Sequence, residues 1–275
     1  VGRFSRIVLA VKAHHTRQAT NMLLPHLDKN GYVLSAQNGL NEMVISEIVG
    51  RPRTMGAFLN FGADWLGPGR ILFGNRGAVV LGELDGSVYP RTNDMFNLMQ
   101  KFDSDAVLTD NIWGYLWGKL AYGAMLFATA LTNRSMADNF AKAEFAPIWI
   151  GLAREVIALA QKRCVTPVGF NGFDPAAFLP GSDRLEADRC ISGLVAFNMK
   201  SAKTHSGIWR DLAVRRRKTE VDDQIGILID LATESGVEVP LIKCLVTLVH
   251  DVEEGTRPLS DETLMPLMDL INSRI

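Results

Sequence analysis

The sequence lacks the features that would place it in an oxidising compartment or at a charged surface. Its three cysteines, Cys164, Cys190 and Cys244, are odd in number, far apart and without C-x-x-C spacing. That set does not read as a disulfide framework and fits a reducing compartment, so a cytoplasmic protein is expected. Charge of one sign is also missing. A formal net charge of −1 provides no global attraction for nucleic acid or an anionic membrane, so an anionic ligand must be met by local positive groups. The opening residues do not read as a signal peptide, because Arg3 and Arg6 precede only a short apolar run. No internal repeat or low-complexity tract is visible. One stretch, residues 112–131, is long and apolar enough to imitate a membrane span, with Lys119 as its single charge. A helix apolar all round is equally expected in the core of a large soluble protein, and a central lysine costs more in lipid than beside a polar site. No membrane partner is expected.

What is present can bury a substantial core: 275 residues, 47% hydrophobic and 21% charged, enough for one large or two ordinary domains. Residues 6–12 are a continuous β-branched run that reads as a buried parallel strand. A helix follows with Thr16 as its N-cap, and Asn30-Gly31 ends that segment. A second strand at 32–36 enters a helix reaching about Val49, the rhythm of a doubly wound sheet. Short runs at 54–61, 70–73 and 78–83, separated by Gly-Pro-Gly and Asn-Arg-Gly turns, suit antiparallel strands. After a helix at 91–101 and a short strand at 106–108, the signals turn helical from about Asn111. Helices are expected near 143–163 and 183–202, with a loop rich in Pro, Gly and Phe between them. Thr219 begins another, with Asp222 in a capping box and Val221, Ile225, Leu228, Ile229 and Ala232 inward. Gly236 stops it, and Pro240 starts the last long helix, with Leu241, Leu245, Leu248, Val249 and Val252 facing inward before Gly255. The expected division is an α/β part over 1–108 and a helical part over 109–275.

Several residues have types suited to chemistry. Lys119 lies mid-way in the most apolar helix, where partial desolvation brings an ammonium toward a useful pKa. Gly123, four residues on, shares its face and leaves open space beside the amine. A lysine snorkelling from a core helix explains the same pattern. Glu220 starts a helix whose dipole favours a carboxylate, which is also ordinary first-turn chemistry. Asn38 sits in a turn at the C-terminal end of a strand, the edge where doubly wound sheets bind ligands, although Asn-Gly is itself a favoured turn pair. The basic run 215–218 suits phosphate, a solvated face, or pairing with Asp222 and Asp223. His14 and His15 are neighbours that should point apart, so no metal site is expected. Ser206 suits a helix cap or a carboxylate ligand, caps being commoner.

Taken together, six segments resemble the ketopantoate reductase family: Leu9-Ala-Val-Lys-Ala13, Gln37-Asn-Gly-Leu-Asn-Glu42, Pro68-Gly-Arg-Ile-Leu-Phe-Gly74 with Gly82-Glu83, Trp117-Gly-Lys-Leu120, Arg217-Lys-Thr-Glu-Val-Asp222 and Gly236-Val-Glu-Val-Pro240. They keep the family's order across nearly the whole chain. The resemblance implies an incomplete Rossmann-type doubly wound sheet followed by an all-α domain like that of 6-phosphogluconate dehydrogenase. It also implies NADPH-dependent reduction of a 2-oxo acid, a small-molecule partner and a homodimer. Lys119 then resembles the general acid, and Glu220 the glutamate that bonds substrate and orients the lysine. Lys12 and Asn38 match the nicotinamide and ribose side of the cofactor site, with Glu220 close to it. Asn38, Gly123 and Ser206 line the substrate side, although Ser206 stands two residues further from Glu220 than the family's carboxylate-binding serine. Two departures stand out. Gly123 and Phe127 replace family asparagines, which argues for a bulkier or less polar 2-oxo acid. The dinucleotide turn G-x-G-x-x-G occurs nowhere, and the first strand resembles the family's fourth. A non-catalytic remnant serving as a dimerisation or binding module is the main alternative, and another two-domain hydroxy-acid dehydrogenase a weaker one.

Overall fold

The computed structural model describes residues 2–273 and divides into two compact units. One runs to Asn60 and resumes over Gly77–Leu116; the other joins Phe61–Arg76 to everything from Trp117 onward. This differs from a break after residue 108 in two places. A hairpin leaves the first unit for the second, and the division falls at Leu116, inside a helix.

In the first unit, strand β1 (Phe4–Leu9) leads through a 3-10 turn (Ala13–His15) into α1 (Thr16–Leu23), then β2 (Leu27–Ser35), α2 (Asn41–Val49) and β3 (Thr54–Leu59). The chain next forms the hairpin β4 (Gly62–Gly67) and β5 (Arg70–Asn75). It returns as β6 (Val79–Glu83), α3 (Pro90–Phe102) and β7 (Val107–Leu108). The main sheet has the order β1-β2-β3-β6-β7, parallel throughout except for the antiparallel β3–β6 pair. Alternation along β2 sorts its apolar run onto two faces. Tyr32 and Leu34 pack with Met55, Leu81 and Met95 on one side, and Val33 packs with Leu9, Ile45 and Val49 on the other.

Three local expectations need correction. Asn30-Gly31 does not end a segment but lies inside β2; a Cβ on Gly31 would stand 2.8 Å from the Phe4 carbonyl oxygen, so strand contact rather than a turn calls for glycine. Thr16 is not an N-cap: its hydroxyl donates to Asn41 Oδ1 at 2.7 Å, a bond to another element that periodicity cannot reveal. The hairpin strand β4 went unread because Gly62, Asp64 and Gly67 break its pattern.

The second unit is helical apart from the hairpin. Helix α4 (Ile112–Thr129) enters it, followed by α5 (Met136–Ala141), α6 (Ala146–Lys162) and α7 (Arg184–Met199). A short α8 (Gly207–Trp209) runs on as a π-helical turn (Arg210–Val214), and a second π-helical turn (Asp222–Gly226) leads into α9 (Ile227–Ser235). Helices α10 (Pro240–Glu253) and α11 (Met265–Asn272) complete it. Rings of Tyr122, Phe140, Phe170, Phe173, Phe178 and Trp149 form its aromatic centre. Among the described residues, no helix is long and apolar enough to cross a membrane. Asp222 forms no capping box; the wider π turn carries its carboxylate to His250, 2.9 Å away. Winding of the same kind leaves Ile229 half-buried and turns Leu231 inward beside Val221, Ile225, Leu228 and Ala232. Val252 is likewise half-buried, one turn short of Gly255.

Candidate active site

Two sets of candidate residues occur, one in each unit. In the first unit they lie at the C-terminal ends of the parallel strands β1 and β2, the edge where such sheets bind ligands. Lys12 and Asn38 are both exposed there. Between them runs a polar network that ties the two loops together. Gln37 Nε2 donates to the Val11 carbonyl at 2.8 Å and to Thr16 Oγ1 at 2.7 Å, Thr16 donates to Asn41, and Asn41 Nδ2 donates to the Asn38 carbonyl at 2.6 Å. Sequence reasoning quoted Gln37 and Asn41 in a motif without giving them this work; their proximity to a strand end was the available signal. Gln37 Oε1 is buried with no hydrogen-bond partner, an acceptor facing no donor among the described residues.

An unmatched buried acceptor between two exposed polar residues at the strand ends is chemically suited to an amide N–H, such as that of a nicotinamide carboxamide. No G-x-G-x-x-G turn, the usual pyrophosphate cradle of a dinucleotide, occurs among these residues. His14 and His15 flank this loop, and contrary to expectation their rings converge, with Nε2 atoms 3.1 Å apart. Exposed imidazoles on a 3-10 turn are free to swing together although their backbones diverge. Among the described residues, no group of three or more His, Cys, Asp or Glu residues could hold a metal ion.

In the second unit, Lys119 lies on α4, half-buried between fully buried neighbours Gly118 and Leu120. Gly118 lets the helix approach the 168 backbone closely: a Cβ there would meet the Val168 carbonyl oxygen at 2.3 Å. One turn past Lys119 the situation reverses. A Cβ on Gly123 would meet nothing within 4 Å, so open space lies along that face of the helix. Phe127, a further turn on, is buried to 1% exposure and belongs to the core. Tyr122 on the same helix is also deeply buried, and burial pushes its hydroxyl up to about 12, so it accepts from Asn198 Nδ2 at 3.2 Å as a neutral phenol.

Glu220 is buried at 9% exposure just before the second π-helical turn. Its neighbour Thr219 anchors it: the Thr219 N–H and hydroxyl both donate to Glu253 Oε1, at 2.6 and 2.7 Å, at the end of α10. Glu253, which holds this segment through Thr219, was not singled out by the sequence. Ser206 is buried and caps α8, its Oγ accepting from the Trp209 N–H at 3.1 Å. The basic run pairs differently from expectation. Arg215 and Arg217 both reach Asp211, at 2.8 and 2.9 Å, because the first π-helical turn brings that buried carboxylate nearer than Asp222 or Asp223.

Residues 1–86 match the family described as ketopantoate reductase PanE/ApbA, and residues 111–253 match the family described as ketopantoate reductase PanE/ApbA C terminal. A 2-dehydropantoate 2-reductase of Archaeoglobus fulgidus is 24% identical over 248 residues, covering 90% of this chain and 76% of that protein. A 2-dehydropantoate 2-reductase structure from Geobacter metallireducens superposes with a TM-score of 0.75 at 19% identity, over 91% of this chain and 78% of that one. The ternary structure of D-mandelate dehydrogenase with NADH and anilino(oxo)acetate gives a TM-score of 0.77 at 19% identity, over 92% and 77% respectively. At these identities the solved structures share the fold with this chain.

Proposed function

Because the chain belongs to the ketopantoate reductase PanE/ApbA family, we propose that it reduces a 2-oxo acid to the 2-hydroxy acid with NADPH, using Lys119 as general acid. A bound dihydronicotinamide supplies the hydride to the keto carbon. The Lys119 ammonium gives its proton to the keto oxygen as the carbon is reduced, a transfer typically worth about 10² to 10⁴ in rate. Glu220, held in place through Thr219 and Glu253, accepts a hydrogen bond from substrate and steadies the lysine. Ser206 binds the substrate carboxylate. Lys12 and Asn38 hold the nicotinamide and ribose.

The single observation that carries this reading is the setting of Lys119: a half-buried ammonium on an apolar helix with unfilled space one turn along its own face. The same space sharpens the substrate. With no amide at residue 123, the site favours a bulkier or less polar side chain than that of 2-dehydropantoate, an aromatic 2-oxo acid included. The D-mandelate dehydrogenase structure, holding anilino(oxo)acetate, supports that choice.

Consumption of NADPH, followed by absorbance with 2-dehydropantoate and with a phenyl-substituted 2-oxo acid, is the test. Turnover of the aromatic acid with the higher kcat/KM is expected. A strong preference for 2-dehydropantoate ends the idea of an apolar substrate. Failure to quench or shift NADPH fluorescence, in a fully folded chain, ends the catalytic reading in favour of a remnant that binds without reacting.

A further inference from the structure

The hairpin β4–β5 packs with the helical unit, and one buried carboxylate stands at its contact with the segment around Ser206. Asp64 is 6% exposed. Its Oδ2 lies 2.7 Å from Arg210 Nε, and its Oδ1 lies 3.5 Å from Lys203 Nζ. The Arg210 contact is short but off the line of the N–H bond, so it is an ion pair rather than a hydrogen bond. Lys203 Nζ also donates to the Ala63 carbonyl at 3.0 Å. A Cβ on Gly74 would stand 2.8 Å from Lys203 Cβ, so the second hairpin strand presses on the same residue. The hairpin thus grips the chain three residues before Ser206 and four residues after it.

Two cations meet one anion here, and all three side chains are at least three-quarters buried, with exposures of 16%, 25% and 4% for Lys203, Arg210 and Asp64. Nearby Arg215, although paired with Asp211, adds to the positive potential at Lys203. A charge drawn from water without a full partner is costly. Burial already lowers the Lys203 pKa, with Asp64 opposing that shift. Arg210 makes its closest approach to Asp64 through Nε, and no side-chain hydrogen bond of its terminal amino groups occurs among the described residues. Those paired groups are the fork that grips a carboxylate side-on. The Arg210 N–H donates to the Ser206 carbonyl at 3.2 Å, so both residues share one helical face.

We propose that Lys203 and Arg210, held by the positioning residue Asp64, bind the substrate carboxylate together with Ser206. The inference deepens the proposed reduction of a 2-oxo acid and rests on it for the identity of the ligand. Asp64 neutralises one of the two cations and fixes both; the incoming carboxylate neutralises the other. The ligand class is a small organic monocarboxylate, planar and singly charged. The hairpin therefore belongs to substrate recognition although none of its residues donates to the substrate.

Calorimetric titration of the full chain with oxamate, with neutral oxamide and with inorganic phosphate tests the site without requiring turnover. Oxamate is expected to bind, oxamide and phosphate at least tenfold more weakly. R210Q should weaken oxamate at least tenfold, and R210K should recover part of that loss. In steady-state reduction, R210Q should raise KM for the 2-oxo acid about tenfold or more, with kcat changed less than threefold. D64N should also weaken oxamate, because the cations lose their anchor; tighter binding by D64N overturns the positioning role. Equal binding of oxamate by wild type and a folded R210Q, or equal affinity for phosphate, overturns the site. Should R210Q fold poorly, R210K with wild-type affinity and KM does the same. If wild type binds oxamate through Arg210 yet reduces no 2-oxo acid, the proposed function fails and this site stands. If reduction proceeds with KM indifferent to R210Q, the opposite holds.

Discussion

Strand β1 and helix α4 carry the same signature, an apolar run interrupted by little charge, and the fold treats them in opposite ways. β1 is the edge strand of its sheet among the described residues, and its Phe4 and Val8 are 48% and 51% exposed. α4 is enclosed: Leu116, Ala121, Ala124, Met125 and Ala128 are all at 1% exposure or less. Composition reports how much apolar surface an element carries, whereas neighbours decide how much of it leaves water. In α4 that enclosure leaves a single lysine half-buried among apolar neighbours. On an edge strand the same lysine would be one more solvated ammonium.

The sharpest way to break this comparison is to remove the charge and keep the helix. Lys119→Met should lower kcat by about 10² to 10⁴ with little change in melting temperature, since a methionine fits a helix and an apolar setting. Unchanged turnover with the native melting point would dissolve the assigned mechanism. Next in size is core packing. Met125→Ala should cost about 2–5 kcal/mol in denaturant unfolding, because the residue is fully buried and leaves a cavity.

Two glycines on the same helix then give a matched pair. Gly118→Ala drives a methyl into the Val168 carbonyl oxygen and should destabilise by about 1–3 kcal/mol. Gly123→Ala meets open space and should be neutral or stabilising by up to about 1 kcal/mol on helix propensity. Equal losses for the two would refute the open face. A smaller effect attends the exposed ion pairs of the helical unit. Arg134 and Lys142 hydrogen-bond Asp261 and hold its carboxyl down to about 2, from an ordinary 3.8. A depressed acid stabilises the fold above its unfolded value, and the contribution fades as pH falls through about 2. Asp261→Asn should therefore lower stability at pH 7 by under about 1 kcal/mol, given solvent screening, and the gap should narrow below pH 4. Urea melts at the two pH values measure it. Smallest of all, Val8→Thr on the open edge should stay within about 0.5 kcal/mol of wild type by the same melts, in contrast with Met125.

Much of the fold was legible because its elements announce themselves locally. The turn after β2, Pro240 at the start of α10 and Gly236 at the end of α9 each carry their own signal, whereas the run at residues 6–12, which reads as a buried parallel strand, forms a parallel strand over Phe4–Leu9 that is largely exposed. What escaped was non-local. Thr16 reads as a cap until Asn41, twenty-five residues away, takes its hydroxyl. Asp222 reads as part of a capping box until a π turn swings it to His250. β4 was missed because glycines and an inward aspartate break its alternation, and that aspartate is the residue that meets Lys203 and Arg210.

By itself the sequence determined most of the elements and their order, the apolar helix with one ammonium in it, and the motifs shared with a reductase family. Those follow from short-range sterics and from apolar periodicity, which need no knowledge of neighbours. Only the tertiary structure decided which polar groups share an environment: Gln37 between two strand ends, Thr219 on Glu253, and Asp64 between two cations from a segment some 140 residues downstream. Charge and hydrogen bonding act over a few ångströms in space, and along the chain those ångströms are invisible.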